Sequence, residues 1–294
     1  MQVGSRVLLV GDHNQLRPTY EEEHKVAIAR SLGITTSSAE FQQVMRSDFE
    51  RVFHSQYGRA TRATLNTQYR MLPAIGDLVN EIFYDIDLEN GYRPSPTYFS
   101  QKVPECLSHV VTWIDTSELG KKAYDSGTLS LSNNAEADAI IRLLEEIAED
   151  TEFCAGMSME MAESQEPPIG VICMYLDQRK LVRKRFAEKI WSEEFRKLVK
   201  IETVDSYQGK ENNIIIVSLT RAKADQSPGF LATPNRINVA MSRAMERLVI
   251  VGSLKMWSGR NARLPLGQVA SFIQTKQDTI NYCIKPVTPA RRVV

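Results

Sequence analysis

The fold of this chain is decided by residues Ile201–Arg221, which read IETVDSYQGKENNIIIVSLTR. A polar turn around Gly209 separates two apolar runs in this stretch. The second run, Ile214–Val217, is β-branched throughout, which is typical of a short strand buried on both faces of a parallel sheet. Polar loops beside such strands are where α/β sheets bind ligands. The stretch therefore predicts either a ligand-binding loop or a plain surface loop before a core strand.

Apolar runs and amphipathic patterns alternate on both sides of this stretch. Short apolar runs predict strands at Arg6–Asp12, Ala63–Leu65, Val110–Ile114, Ile169–Met174 and Leu248–Gly252. Apolar residues at helical spacing predict helices at Glu21–Leu32, Asp48–Tyr57, Pro73–Tyr84, Tyr175–Trp191, Asn235–Arg247 and Leu266–Gln277. Because strands alternate with helices from about residue 63 onward, we predict an α/β fold with a mostly parallel sheet and helices on both faces.

The remaining segments carry weaker signals. Asn133, followed three positions later by Glu136, resembles a capping box and predicts the start of one more helix. The charges of the Tyr175–Trp191 helix predict a solvated face with i,i+4 pairs, and a contact with a nucleic-acid backbone is the alternative. Residues 85–108 and 117–132 are predicted to be irregular, residues 150–168 to be a flexible surface insertion, and residues 286–294 to be a mobile tail.

Composition restricts the classes of function. The 294 residues contain 36 Lys and Arg and 36 Asp and Glu, so the formal net charge is zero and a nucleic-acid partner would need a local basic strip. The four cysteines have no CxxC spacing and the four histidines are scattered, which predicts no metal site and reduced thiols in the cytoplasm. No apolar run approaches the ~18 residues that cross a bilayer, so we expect no membrane association.

Four motifs follow one another along the chain. They read GDHNQLRP at residues 11–18, LNTQYRM at residues 65–71, TVDSYQGKE at residues 203–211 and NVAMSRA at residues 238–244. In this order they resemble motifs III, IV, V and VI of the superfamily 1 helicases, in the 1B branch that includes the nonsense-mediated-decay helicase. Residues 134–137, 170–178 and 229–231 agree with the same pattern. The resemblance implies a RecA-like sheet of the P-loop NTPase type, forming the second helicase lobe and preceded by the truncated end of the first.

The resemblance also implies an ATPase. Phosphoryl transfer needs positive charge on the γ-phosphate, and an arginine can bond two phosphate oxygens at once. Catalytic roles are thereby implied for Arg70 and Arg243, and γ-phosphate sensing for Gln15. Contacts with the nucleotide are implied for Asp12, Gln68, Tyr69, Gln208, Gly209 and Glu211.

The same residues have plainer interpretations when the resemblance is set aside. Asp12 and Gln15 follow a predicted strand, where such residues form turns with their own backbone. Arg70 can be a surface arginine near a helix start, and Arg243 can pair with Glu246 on one helix.

A single strand of nucleic acid is the other ligand that the resemblance implies, in a groove shared by both lobes. Sequence-tolerant binding needs backbone contacts and stacking faces. The implied contacts are Tyr175, Gln178, Thr203 and Ser206, at strand ends or first helical turns. Tyr175 can equally be a tyrosine at the edge of the core.

Two ATPase motifs are absent from the sequence. The Gly-Lys pairs at Gly120 and Gly209 are not followed by Ser or Thr, as a phosphate loop requires, and no Asp is followed by Glu. We therefore expect the end of the first lobe at residues 1–60, the second lobe at 61–285 and a tail at 286–294.

This division predicts how the chain behaves alone. We expect ATP and Mg²⁺ to bind only with the missing N-terminal lobe, as part of a longer or split protein. The chain alone should show no ATPase or unwinding activity, and residues 1–60 should expose apolar surface. A non-catalytic nucleic-acid-binding or interaction module derived from a helicase lobe is the alternative, and an unrelated α/β enzyme is a third.

Overall fold

The computed structural model describes residues 8–16, 22–128, 130–277 and 279–288. The chain separates into two compact units, Met1–Leu65 and Asn66–Val294. Each unit is described by itself.

The first unit is helical. Its helices are α1 (Glu22–Ser31), α2 (Ala39–Val44), α3 (Asp48–His54) and α4 (Gln56–Thr61). Serine side chains cap α2, α3 and α4 by accepting the N–H of the third helical residue, at Ser38, Ser47 and Ser55. The predicted helices near residues 21–32 and 48–57 are confirmed.

The predicted buried strand at the start of the chain is wrong for the residues that the structure describes. Arg6 and Val7 lie outside them, while residues 8–12 form no strand and Leu8 is 88% exposed. Within the described part of this unit no strand is present to pair with this segment. The expectation that residues 1–60 expose apolar surface is confirmed by their exposed side chains, namely Leu8, Leu9, Val10, Val26, Leu32, Val44, Val52 and Tyr57.

The second unit is built on a parallel sheet, as predicted. Its strands are β3 (Val111–Asp115), β4 (Ile169–Cys173), β5 (Val199–Thr203), β6 (Asn212–Ser218), β7 (Ala244–Gly252) and β8 (Tyr282–Pro286), after a small parallel pair β1 (Thr67–Gln68) and β2 (Glu89–Asn90). The order is β5-β4-β6-β7-β3-β8, and every described pairing is parallel. All of β6 is buried, which confirms the strand predicted at Ile214–Val217.

Helices cover this sheet. They are α5 (Pro73–Phe83), α6 (Thr97–Gln101), α7 (Asn134–Glu149), α8 (Thr151–Ser164), α9 (Leu176–Glu188), α10 (Glu193–Leu198), α11 (Pro234–Met241) and α12 (Pro265–Lys276). Pro73 stands in the first turn of α5, where its missing N–H has no helical partner to lose. Asn133 caps α7 by accepting the N–H of Glu136 at 3.1 Å. The predicted helices beginning at Pro73, Asn133, Tyr175 and Leu266 are confirmed.

Several boundaries differ from the predictions. Ala63–Leu65 is not a strand, and Leu65 is 90% exposed. The helix predicted at Asn235–Arg247 ends at Met241, because β7 already begins at Ala244. Residues 150–168 are not a flexible insertion, since α8 packs Phe153 and Met157 into the core. Strand β8 was not predicted, and residues 289–294 of the predicted tail lie outside the described residues.

The charges of α9 mostly pair with other elements. Arg179 and Arg183 both bond Glu202 on β5, at 3.1 and 2.7 Å. Arg185 pairs with Asp138 on α7. The predicted i,i+4 pairing is present in Lys184–Glu188, but the helix is anchored chiefly by these bridges between elements.

The parallel sheet has two different edges. The amino edge is the edge formed by the amino ends of β3–β8, and the carboxyl edge is the opposite one. Residues Val204–Glu211, called the crossover below, leave β5 at the carboxyl edge and enter β6 at the amino edge, passing over β4. Connections between parallel strands usually take a dozen or more residues. This shorter one fits because Gly170 in β4 has no side chain: a Cβ there would lie 2.3 Å from Tyr207 Oη.

Candidate functional site

The first cluster of predicted residues lies at the amino edge and begins with a turn built by Gln68. Its Oε1 accepts the N–H groups of Arg70 and Met71 at 2.9 and 2.8 Å, and its Nε2 donates to Asn90 Oδ1 at 2.7 Å. The amide of Gln68 is thus used to shape the segment that carries Tyr69 and Arg70. This turn presents both side chains beside the start of β7, since Leu72 N donates to Met245 O at 2.9 Å.

Tyr69 and Arg70 leave this turn in different environments. Tyr69 is 62% exposed, and its ring lies against Gly91, where a Cβ would be 2.2 Å from Tyr69 Cε1. The ring therefore rests on the Gly91 backbone while most of the side chain stays accessible to a ligand. Arg70 forms an ion pair with Glu211 at the end of the crossover and donates Nη1 to Ser242 O at 3.2 Å.

Arg243 lies at the same edge but is almost fully buried, with 2% of its surface exposed. Its guanidinium donates to Val239 O at 3.2 Å, to Lys210 O at 3.3 Å and to Ser242 Oγ at 3.1 Å. These distances are at the long end of the usual range. The carboxylate of Glu246, suggested as its partner, is bonded by Arg93 at 2.5 Å and Ser95 at 2.8 Å.

The crossover carries three further predicted nucleotide contacts. Gln208, Gly209 and Glu211 are all exposed. Gly209 has φ +82°, and a Cβ there would meet no atom within 4 Å. Glycine is therefore required by the left-handed backbone and not by crowding.

The second cluster lies at the carboxyl edge. Thr203 Oγ1 and Ser206 Oγ are 3.2 Å apart where β5 ends. The ring of Tyr175, just after β4, is buried and packs against Phe230 with centroids 4.7 Å apart. Arg221, just after β6, donates Nε to Tyr175 Oη at 2.8 Å.

Arg236 connects the two parts of this carboxyl-edge cluster. Its guanidinium lies 5.0 Å from the centroid of the Phe230 ring and pairs with Asp205 of the crossover at 3.1 Å. A continuous chain of contacts therefore runs from the crossover to Arg221.

Gln178 does not belong to the exposed part of either cluster. It is fully buried, its Oε1 accepts the N–H of Asn133 at 2.6 Å, and its Nε2 donates to Ser218 Oγ at 3.0 Å. The prediction that Gln178 contacts a nucleic-acid strand is therefore corrected, because no part of the side chain reaches the surface. Its observed partners make it a support for the end of β6 and the start of α7.

Asp12 and Gln15 belong to the first unit. Asp12 Oδ1 accepts the N–H of Asn14 at 2.9 Å, and Gln15 Nε2 donates to Asp12 Oδ2 at 3.0 Å. These bonds are those of the turn that the sequence offered as an alternative.

The comparisons with known proteins agree with this geometry. The AAA domain family matches residues 44–255. The chain belongs to the AAA domain family. Among its relatives, "Regulator of nonsense transcripts 1 homolog" of Neurospora crassa is 30% identical over 85% of this chain and 20% of the relative. "ATP-dependent helicase NAM7" of Saccharomyces cerevisiae is 29% identical over 84% of this chain and 23% of that protein. "DNA replication ATP-dependent helicase/nuclease DNA2" of Gallus gallus is 30% identical over 84% of this chain and 20% of that protein.

These relatives make the AAA domain of this chain a helicase-like portion of the superfamily 1B type. The chain spans about a fifth of the length of each of the three. Its described residues contain no helix long and apolar enough to cross a membrane. In the same residues there is no group of three His, Cys, Asp or Glu side chains that could hold a metal ion.

Sequence reasoning missed several residues that shape the carboxyl edge of the AAA domain. Arg221, Phe230 and Arg236 line the cluster, while Asn133 and Glu136 lie in the core beneath it. Glu136 and Phe230 stand in short segments that agreed with the helicase pattern, which was the available signal. Their contacts could not be inferred, because each joins segments far apart in sequence.

Two pKa shifts mark the buried side of this edge. Burial raises the pKa of Glu136 to about 8, with hydrogen bonds from Ser218 and Thr220 acting in the opposite direction. Burial also raises the pKa of Tyr175, which its hydrogen bond with Arg221 partly offsets. Glu136 is therefore largely uncharged near neutral pH, as expected of a carboxyl group without a cationic partner in the interior.

Proposed function

We propose that this chain contributes the second RecA-like lobe of an ATP-dependent superfamily 1 helicase or translocase that acts on single-stranded DNA or RNA. In this proposal residues 1–60 are the end of the first lobe and residues 61–285 form the second. The observation that carries it is the sheet geometry: Arg70, Glu211 and Arg243 meet at the amino edge, while Thr203 and Ser206 meet at the carboxyl edge. The crossover joins the two groups directly.

On the ATP side, the proposal gives Arg70 and Arg243 the role of arginine fingers that stabilise the charge developing on the γ-phosphate. Arg70 would exchange its half-exposed pair with Glu211 for phosphate oxygens. Arg243 would turn outward from the carbonyl groups that it now bonds.

The other nucleotide contacts follow from exposure and conformation. The exposed ring of Tyr69 suits stacking on a base. The exposed crossover residues Gln208, Gly209 and Glu211 would lie beside the nucleotide, and Asp12 and Gln15 would act from the first lobe. Bound ATP and Mg²⁺ would supply the reacting phosphate and its neutralising cation.

On the nucleic-acid side, Thr203 and Ser206 supply hydroxyl groups at the carboxyl edge. Phe230, which is only partly buried, supplies an aromatic ring. Tyr175 is buried and packs against that ring, so the contact predicted between Tyr175 and the strand is corrected to a supporting role. Hydroxyl groups can bond phosphates, and aromatic faces accept any base. This combination fits binding without sequence preference.

The first test is ATP turnover by the purified chain. Because its sequence has neither GxxxxGK[ST] nor Asp-Glu, we expect no phosphate release above the blank, with or without a 20-nucleotide single strand. Turnover that disappears in Arg243→Ala would contradict this part of the proposal.

The second test transplants the lobe. A chimera of the yeast NAM7 helicase, with its matching portion replaced by residues 66–288, should hydrolyse ATP when a single strand is present. Arg70→Ala and Arg243→Ala should each lower kcat by about a thousandfold while strand binding stays within about twofold. Arg185→Ala is the control, because that arginine bonds Asp138 and Asn134 on α7 and neither of the two finger candidates. If Arg70→Ala and Arg243→Ala both keep the kcat of the unmutated chimera, the assignment of these residues as arginine fingers is wrong.

One observation favours a second candidate, a nucleic-acid-binding module without ATPase function. Both finger candidates are engaged inside the chain, Arg70 by Glu211 and Arg243 by backbone carbonyl groups. Strand binding by an otherwise folded chimera that never responds to ATP would support this candidate over the first.

A further inference from the structure

The backbone just after β6 makes an unusual turn. Arg221 N donates to Leu219 O at 2.9 Å, and Thr220 between them has φ +71°. A bond between residues two apart around a positive φ is a γ-turn of the rare, strained kind. Threonine, which is β-branched, is among the residues least suited to that conformation. Strain of this sort persists only when the surroundings enforce it, and it concentrates at functional sites.

The surroundings that enforce the turn are the first turn of α7 and its cap. Glu136 Oε2 accepts the N–H of Thr220 at 2.8 Å and the hydroxyl of Ser218 at 2.7 Å. Asn133 Nδ2 donates to Thr220 O at 3.0 Å. All four side chains are buried, so both backbone groups of Thr220 are fixed from the core.

The same turn is held on its far side. Ala222 N donates to Asp125 Oδ1 at 3.0 Å in the buried interior. The residue between the two fixed positions is Arg221, so the direction in which its side chain leaves the backbone is fixed. The side chain extends toward Tyr175, whose hydroxyl oxygen accepts a hydrogen bond from Nε.

Arg221 differs from its cationic neighbours in its partners. Arg236 pairs with Asp205, and Arg179 with Glu202. Arg221 is half-buried and makes no ion pair within the described residues. Partly burying a cation without a carboxylate is unfavourable. The hydrogen bond to the Tyr175 hydroxyl and the Tyr175 ring, whose centroid lies 5.8 Å from the guanidinium, offset part of that cost, but they do not account for the strain beneath Arg221.

We propose that Arg221 binds a backbone phosphate of the single strand, and that Glu136 is the positioning residue that aims it by holding Thr220 in the strained turn. This rests on the proposed function, because it names a contact within the same groove. Thr203, Ser206 and the Tyr175–Phe230 pair lie along the same edge, so a strand that touches them passes Arg221. A guanidinium already oriented by the Tyr175 hydroxyl keeps its terminal nitrogens for phosphate oxygens.

The first experiment measures binding of the full chain to fluorescein-labelled oligo(dT) and oligo(U) of 20 nucleotides, by anisotropy over a series of salt concentrations. Arg221→Ala should weaken binding about tenfold at low salt for both strands. It should also lower the slope of log K against log salt by about 0.7, the value for one lost phosphate contact on a single strand. Arg185→Ala, which removes an ion-paired arginine, should leave the slope unchanged.

The second experiment separates positioning from general support. Glu136→Gln keeps the oxygen that accepts the Thr220 N–H, and should retain both slow amide exchange at Thr220 and strand binding within about twofold. Glu136→Ala should speed that exchange at least a hundredfold and reproduce the salt slope of Arg221→Ala. Adding Thr220→Gly to Glu136→Ala should restore part of the binding, because glycine adopts φ +71° without strain.

The outcomes separate this inference from the function on which it rests. If the wild-type chain binds strands and Arg221→Ala binds with the same affinity and slope, the inference is overturned and the proposed function stands. If the wild-type chain binds neither strand, both fail. If Glu136→Ala loses amide protection but binds as the wild type does, the positioning role of Glu136 is overturned.

Discussion

The two edges of the sheet carry the same kinds of side chain in opposite settings. At the amino edge, Arg70 and Glu211 form a pair that is open to solvent on both sides. At the carboxyl edge, Glu136 lies wholly in the interior and holds a strained turn through the backbone of Thr220. The Arg70–Glu211 pair is made by exposed side chains that can exchange each other for another partner. The Glu136–Thr220 network is made by buried atoms, and no water molecule can take the place of a lost partner there.

The difference indicates where each edge obtains its geometry. A half-exposed ion pair contributes little and can be exchanged for another anion. A buried polar network is costly to disturb and fixes one arrangement. We therefore expect the Glu136–Thr220 network of the carboxyl edge to be organised in the isolated chain, and the Arg70–Glu211 pair of the amino edge to take its working form only around a ligand.

The largest expected effect concerns the path between the edges. Gly170→Ala would place a Cβ 2.3 Å from Tyr207 Oη and 2.6 Å from Asn212 Oδ1 in a fully buried strand. Overpacking of this kind should cost about 3 kcal/mol of the free energy of unfolding, measured by urea denaturation. A cost below about 1 kcal/mol would show that the crossover lies less tightly on β4 than described.

The next effect, of comparable size, is a pH dependence that comes from the carboxyl edge. Glu136 has a pKa of about 8 in the folded chain against an ordinary value of 4.5, so between these values the folded state binds the extra proton. Its contribution to stability is complete below about pH 4.5 and is lost as pH rises toward 8, at up to about 1.4 kcal/mol per pH unit.

The measurement is the urea midpoint of wild type and of Glu136→Gln at pH 5.5 and pH 8.5. Asp125 adds to the upward shift of Glu136, whereas burial lowers the pKa of His109 and acts in the opposite direction. The difference between the two proteins isolates Glu136 and should shrink or reverse as pH rises. A difference that is the same at both pH values would contradict the assignment.

A smaller effect is expected at Gly209 in the crossover. Gly209→Ala meets no atom, but it must adopt φ +82°, which should cost about 1 kcal/mol. Comparison with Gly170→Ala separates backbone strain from crowding within one connection, since both variants add a single methyl group. An equal loss of unfolding free energy in the two variants would mean that crowding between the crossover and β4 adds nothing to the loss in Gly170→Ala.

The smallest effect should come from the exposed Arg70–Glu211 pair at the amino edge. Glu211→Ala removes the partner of Arg70, and because both side chains are more than a third exposed we expect a loss of no more than about 0.5 kcal/mol. The Arg93→Met variant serves as the contrast, because Arg93 pairs with the buried carboxylate of Glu246 and its loss should cost several times more. Similar costs for the two would break the distinction between exchangeable and fixed pairs.

The predictable parts of the fold were those with a continuous local pattern. The β-branched run at Ile214–Val217 predicted β6 because a strand buried on both faces is apolar at every position. Pro73 and Asn133 marked helix starts through their own backbone chemistry. Both signals act within a few residues, so no tertiary information was needed.

The missed elements depend on distant partners. Helix α8 owes its place to contacts such as that of Gly156 with Tyr98, which no pattern within residues 150–168 shows. Strand β8 ends in Pro286 and pairs only with β3 among the described strands, so its own sequence looked like a tail. The boundary between α11 and β7 was missed because the apolar residues around Ala244 suit either structure.

The sequence predicted which residues form the candidate site better than it predicted which of them are exposed to solvent. Four ordered motifs brought Arg70, Arg243 and Thr203 to attention. Gln178 was misassigned because its partners, Asn133 and Ser218, are 45 and 40 residues away. Whether a polar side chain faces solvent or closes an internal network depends on such contacts, and a linear pattern does not encode them.

The length of the crossover has a mechanical consequence. From the end of β5 to the start of β6, two strands away, the backbone must cover about 22 Å, given ~3.3 Å per residue and ~4.8 Å between strands. With one short 3₁₀ turn at ~2 Å per residue, the connection reaches only about 25 Å. A segment with so little slack cannot absorb a displacement. When Glu211 moves by more than a few ångströms, Thr203 or the strands beneath it must move as well.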